Sequence, residues 1–147
     1  MERLKFDITI DAPREKVWQV LWNDDTYRQW TEAFTPGSHM VTDLQEGSKV
    51  LFLGPDKSGM VSRIAKKVDN EYMAFEHLGE VTGGVEDTTS DKVKMWAGSI
   101  EDYKLTDNNG KTDLHIEVDG GEGEMLEMFK SMWPKALAKL KEISEAN

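Results

Sequence analysis

Residues 125–143 read Met125-Leu126-Glu127-Met128-Phe129-Lys130-Ser131-Met132-Trp133-Pro134-Lys135-Ala136-Leu137-Ala138-Lys139-Leu140-Lys141-Glu142-Ile143. Met125, Met128, Phe129, Met132, Trp133, Ala136, Leu137, Leu140 and Ile143 recur at steps of three and four, the spacing of one apolar helix face. Glu122, Glu124 and Glu127 lie at its start and Lys135, Lys139 and Lys141 towards its end, which suits the helix dipole. Pro134 inside the pattern predicts a kink or a restart. The spacing predicts one long helix over residues 123–147.

Upstream, the periodicity changes to two. Leu4, Phe6, Ile8 and Ile10 alternate with Arg3, Lys5, Asp7 and Thr9, as in a strand with one buried face. Pro13 fits the first turn of a helix carrying Val17, Trp18, Val20, Leu21 and Trp22. Asn23-Asp24-Asp25-Thr26 stops that helix and can cap a second, with Tyr27, Trp30 and Phe34, ended by Thr35-Pro36-Gly37. Strand-like runs follow at 39–44, 49–54, 60–68, 72–78, 95–105 and 112–119. Their short polar and Gly-containing connections predict an antiparallel meander. Residues 79–93, rich in Gly, Thr, Asp and Glu, read as the one long irregular loop. The predicted architecture is α+β, a curved seven-stranded antiparallel sheet in the order β-α-α-β6-α. It closes on the last helix with a cavity between the two, because one helix cannot fill a large bent sheet.

The chain has 147 residues, of which 38% are apolar before the 12 glycines are counted. That length suits one domain, 1–147, with a single sizeable core. There are 18 basic against 28 acidic residues, a formal net charge of −10, and the pI is about 4.8. Such a surface repels phosphates, which argues against nucleic acid and anionic membrane as partners. The absence of cysteine excludes disulfides, thiolate catalysis and Cys-ligated zinc, and fits a reducing compartment. Met1 to Ile10 lack a signal-peptide core, and no apolar run reaches the roughly 18 residues of a membrane span. The expected setting is the cytoplasm, with no membrane insertion.

This order of elements resembles the helix-grip fold of the START-like (SRPBCC, birch-pollen-allergen-like) superfamily. Within it, the chain is most similar to the family related to the C-terminal domain of activators of the ninety-kilodalton heat-shock chaperone's ATPase. The residues that carry the resemblance are Ile10-Asp11-Ala12-Pro13-Arg14-Glu15-Lys16-Val17-Trp18, Trp30, Trp96-Ala97-Gly98-Ser99-Ile100-Glu101-Asp102-Tyr103, Gly110-Lys111-Thr112-Asp113-Leu114 and Trp133-Pro134-Lys135-Ala136-Leu137. It implies the fold, and it implies binding of lipids, sterols, hormones or polyketides between sheet and helix. A minority of the superfamily are cyclases or hydrolases. The chaperone activators use an additional N-terminal domain that 147 residues cannot contain.

Strand parity selects the residues that face the helix. The last strand points Leu114, Ile116 and Val118 inward and Asp113, His115 and Glu117 outward. The one before it points Met95, Ala97, Ser99, Glu101, Tyr103 and Leu105 inward. Met73, Phe75 and His77 share a side, and Val50 and Phe52 fit the inward side of theirs. For 60–68 both registers are open. His77 and Glu101 are thus the ionisable residues expected in the interior, as a general acid/base pair, as the anchor for the polar end of a ligand, or as a satisfied polar spot in the wall. Phe129 and Trp133 on the last helix serve equally as ligand wall or as core, whereas Trp30 and Phe34, which close one end, read as core ahead of pocket.

Other motifs carry less. Gly54-Pro55-Asp56-Lys57-Ser58-Gly59 joins two strands and opens no helix, so it reads as a hairpin and not as a phosphate cradle. Gly120-Gly121-Glu122-Gly123-Glu124 precedes a helix, but its glutamates repel phosphate. Glu86-Asp87-Thr88-Thr89-Ser90-Asp91 lacks the alternation of an EF-hand loop. His39, His77 and His115 form no ligand constellation, so neither a metal nor a cofactor is expected. The leading expectation is a monomeric binder of a small, largely apolar ligand, contacted by Trp30, Phe34, Phe52, Phe75, His77, Glu101, Tyr103, Phe129 and Trp133. Two rival classes are an interaction module for a chaperone or other protein, marked by an outward patch such as Trp96 with Tyr72, and a cyclase or hydrolase using Glu101 and His77.

Overall fold

In the computed structural model, which describes residues 3–120 and 123–146, the N-terminal alternation becomes strand β1 (Arg3–Ile10). Pro13 stands just before helix α1 (Arg14–Trp22) in extended backbone, and its carbonyl accepts the N–H groups of Lys16 and Val17. Helix α2 (Asp24–Trp30) follows at once and tightens into a 3-10 turn, Thr31–Ala33, so Phe34 lies just past it. The remaining elements are β2 (His39–Val41), β3 (Lys49–Leu53), β4 (Gly59–Val68), β5 (Tyr72–Thr82), β6 (Val85–Asp87), α3 (Asp91–Lys94), β7 (Ile100–Asn108), β8 (Lys111–Asp119) and α4 (Gly123–Glu145).

All strand pairs are antiparallel, in the order β1-β8-β7-β5-β4-β3-β2, and β6 adds to β5 off this path. The sheet therefore has eight strands where seven were expected. The difference lies in residues 79–93, which are not one irregular loop. Strand β5 runs on to Thr82, turns through Gly83 and Gly84, both at positive φ, and returns as β6. Gly79 makes this possible, because a Cβ there would stand 2.1 Å from the Asp87 carbonyl oxygen. Ser90 then caps α3 by accepting from the Val93 N–H.

The short helix also delays the next strand. Residues 95–98 form the turn out of α3, and β7 begins at Ile100. The inward placement of Met95 and Ala97 is thereby corrected: Met95 is 84% exposed and Ala97 is exposed. Alternation holds from Glu101 onward, with Tyr103 and Leu105 buried and, opposite them, Ile116 and Leu114.

On α4 the apolar face divides. Trp133, Ala136, Leu137 and Leu140 are buried, whereas Met125 and Met128 are 58% and 56% exposed. The helix passes through Pro134 without interruption, and the proline is on the exposed side. Met1, Gly121 and Glu122, and residue 147 at the end of the expected helix, lie outside the described residues. One core, running between the sheet and α1, α2 and α4, joins Ile10, Leu21, Trp22, Trp30, Phe75, Ile116 and Trp133. No helix among the described residues is long and apolar enough to cross a membrane.

Candidate functional site

The register of the central strands assembles the polar part of the site. Ser62 on β4 lies opposite His77 on β5, and Phe75 on β5 lies opposite Glu101 on β7. The His77 backbone is fixed from the next segment: its N–H donates to the Ser99 carbonyl at 2.9 Å, and its carbonyl accepts from Gly98 at 2.8 Å. Side chains then form a continuous relay across three strands. Ser62 Oγ is 2.7 Å from His77 Nδ1, His77 Nε2 is 3.1 Å from Glu101 Oε1, and the Tyr103 hydroxyl donates to Glu101 Oε2 at 2.5 Å.

The chemistry orders the protons. A carboxylate only accepts, so His77 donates from Nε2, while Nδ1 meets the Ser62 hydroxyl, a group that can both donate and accept. Burial first, and then the Glu101 charge, push the Tyr103 phenol well above its ordinary pKa, so Tyr103 keeps its proton and donates it. The same two causes raise Tyr27. Ser62 is fully buried, the His77 side chain is 9% exposed and that of Glu101 is 20% exposed. Glu101 is thus the member of the relay that is open to solvent, with acceptor capacity beyond its two bonds.

Aromatic rings surround this relay. Trp22 packs edge-on to Tyr103 at 4.9 Å and to Phe75 at 5.4 Å, and Phe52 meets Phe75 at 5.1 Å and His77 at 6.0 Å. Tyr103 continues to Trp133 at 6.3 Å, Trp133 to Phe34 at 4.9 Å and Trp30 at 6.4 Å, and Phe34 to Phe129 at 6.5 Å. Every residue expected at the site therefore belongs to one connected set. Trp30, Phe75, Tyr103 and Trp133 are its closed part, while Phe34, Phe52 and Phe129 are half-buried. Rings fill the concavity of the sheet.

Sequence reasoning missed Ser62 and Trp22. Register shifts at Val61/Ser62 and Ile64/Lys66 break the alternation that would have revealed Ser62, and they bury Val61 and Ser62 in succession. Trp22 read as one more apolar residue of α1, yet its buried Nε1 has no hydrogen-bond partner among the described residues.

Two hollows lie elsewhere. One of about 520 Å³ opens among Asp7, Thr9, Lys104, Thr106, Asp113 and His115 on the outward-facing side of the sheet, and one of about 420 Å³ lies beside Gln29, Glu32 and Lys139. His115 faces outward as its parity predicts, bonded to Asp7 at 2.7 Å and Glu117 at 2.8 Å, and these two carboxylates raise its pKa. Among the described residues no group of His, Asp and Glu is arranged to hold a metal ion. Among the described residues the exposed large apolar side chains are Val41, Val68, Val85, Met95, Met125 and Met128, and Trp96, of the suggested patch with Tyr72, is half-buried. Tyr72 is half-buried and donates to Asp102 at 2.8 Å.

An antiparallel sheet curved onto a long C-terminal helix, with two short helices after the first strand, defines the helix-grip class of the START-like superfamily. The chain belongs to the family described as activator of Hsp90 ATPase homolog 1-like protein, whose family model matches residues 11–145. Several solved structures share the fold. The Aha1 dimer from Colwellia psychrerythraea superposes with a TM-score of 0.72 at 18% identity, covering 97% of this chain and 95% of that one. A protein from Mesorhizobium loti also gives 0.72, at 14% identity, over 97% and 96% of the two chains. An AHSA1-like protein from Aeromonas hydrophila gives 0.65 at 17% identity, over 97% and 92%. No curated protein matches the chain in sequence.

Proposed function

We propose that this protein binds a small, largely apolar ligand between the sheet and α4. Phe52, Phe75, Tyr103, Phe129 and Trp133 supply the apolar contact, and Glu101, held by His77, receives the polar end. One observation carries this reading: a carboxylate left 20% exposed in a wall otherwise built of aromatic rings. Placing a carboxylate there is costly unless its lone pairs are used. Entry lies at the end where α4 begins, where the half-buried Phe34 and Phe129 meet and the methionines of α4 can repack. Ser62, His77 and Glu101 are the residue types of a hydrolase. With Ser62 fully buried, we assign the relay to holding Glu101 and not to nucleophilic attack. The cysteine-free composition accords with a reducing compartment such as the cytoplasm.

Native mass spectrometry of protein purified gently from its own cells, followed by denaturing extraction, tests the proposal. A reproducible bound species supports it. An empty protein whose melting curve no member of a hydrophobic library shifts contradicts it. A second reading, an interaction module, is favoured by the exposed Met125 and Met128 on the first turns of α4. In that case a partner protein shields these methionines and the interior stays closed.

A further inference from the structure

The polar end of the site is electrically one-sided. Among the described residues no lysine or arginine forms an ion pair with Glu101, whose only such partner is the His77 imidazole. The nearby cation Arg3 is engaged on the opposite face by Asp102, Glu117 and Asp119. Glu101 makes itself felt inside the fold, since it contributes to raising both Tyr27 and Tyr103. Phe75 lies opposite Glu101 and Tyr103 bonds to it, with Trp22 and Phe52 packed on these rings, and the faces of such rings attract cations. A net charge of −10 adds a field that draws cations towards the molecule and repels anions.

We propose that the ligand is a cationic amphiphile, an apolar or aromatic body carrying a protonated amine, and that Glu101 pairs with the ammonium group. The inference rests on the ligand-binding reading and adds the charge of the head group. A carboxylate that accepts from Tyr103 and His77 has lone pairs left for an N⁺–H donor. The surrounding rings stabilise the cation from its other sides. A hydroxyl head gains the hydrogen bond without the charge, and a carboxylate head meets repulsion.

Three probes share one skeleton and differ only in the head: 1-naphthylmethylamine, 1-naphthylmethanol and 1-naphthoate. Isothermal titration at pH 7 is expected to rank them amine, alcohol, naphthoate, with the amine about tenfold tighter than the alcohol, the worth of one charge-assisted hydrogen bond. Glu101→Gln brings amine and alcohol to equal affinity, and Glu101→Asp keeps the amine ahead. Alcohol and amine binding alike to the wild type overturns the head-group assignment and leaves the ligand-binding reading standing. Absence of binding by all three overturns both. Should Glu101→Gln fail to fold, as judged by its circular dichroism melt, the wild-type ranking alone decides.

Discussion

Ser62 and His77 face each other across β4 and β5, with Ser62 Oγ 2.7 Å from His77 Nδ1, and this contact fixes the imidazole that holds Glu101. Ser62 is fully buried, so no water can replace the hydroxyl. Ser62→Ala leaves Nδ1 buried without a partner and is expected to cost about 1–3 kcal/mol of stability. Urea unfolding of the two proteins measures it. An unchanged midpoint would show that the ring finds its orientation without Ser62.

Trp133 is where the closed and open parts of the ring set meet, against Phe6, Trp30, Phe34 and Tyr103. Trp133→Ala is expected to lose roughly 3–5 kcal/mol, the cost of a large core truncation. Met128→Ala, at an exposed position of the same helix, should stay within about 0.5 kcal/mol of wild type. Guanidinium melts of both variants provide the check, and similar losses in the two would contradict the division of α4 into buried and exposed halves.

His115 sets a pH dependence. Hydrogen bonds to Asp7 and then to Glu117 raise its folded pKa, so its stabilising contribution is complete below the unfolded value of about 6.5 and is lost as pH rises through the raised value. Glu117 is lowered, chiefly by His115, so its contribution is present above the ordinary glutamate range and is lost as pH falls through the lowered value. The melting temperature of wild type should therefore exceed that of His115→Gln most at about pH 5–6, with the gap closing by about pH 9. A gap that is constant with pH would refute this linkage.

Gly79 is occupied on its open side by the Asp87 carbonyl, 2.1 Å from where a Cβ would stand. Gly79→Ala should detach β6 from β5 and cost about 1–3 kcal/mol, the usual range for forced overpacking. Amide exchange at Thr82 and Val85, which pair in the β5–β6 ladder, should speed up while the β7–β8 amides keep their protection. Uniform loss of protection would show instead that the hairpin is integral to the sheet.

Much of this arrangement was legible in the residues, and what escaped has physical causes. Period-two alternation in β1 and β8 and the three-and-four spacing in α4 located the sheet and its covering helix, because each buries one face only. The same parity brought His77 and Glu101 to one side of neighbouring strands. Parity fails where the chain departs from regular pairing. The shifts in β4 against β5 hid Ser62, and the capped turn at Asp91–Lys94 moved Met95 from the expected wall to the surface. Spacing is equally silent on how far rings fill a concavity, since that depends on rotamers and not on order along the chain.

The most direct test of ligand entry between sheet and α4 watches the indole N–H signals of the five tryptophans during titration with 1-naphthylmethylamine. Trp22 and Trp133 adjoin Tyr103, whereas Trp96 lies on the turn after α3, remote in sequence from both helices. Saturable shifts concentrated on Trp22 and Trp133, with Trp96 unmoved, are the predicted result. Shifts confined to Trp96, or none at any tryptophan at millimolar probe, would contradict an interior site.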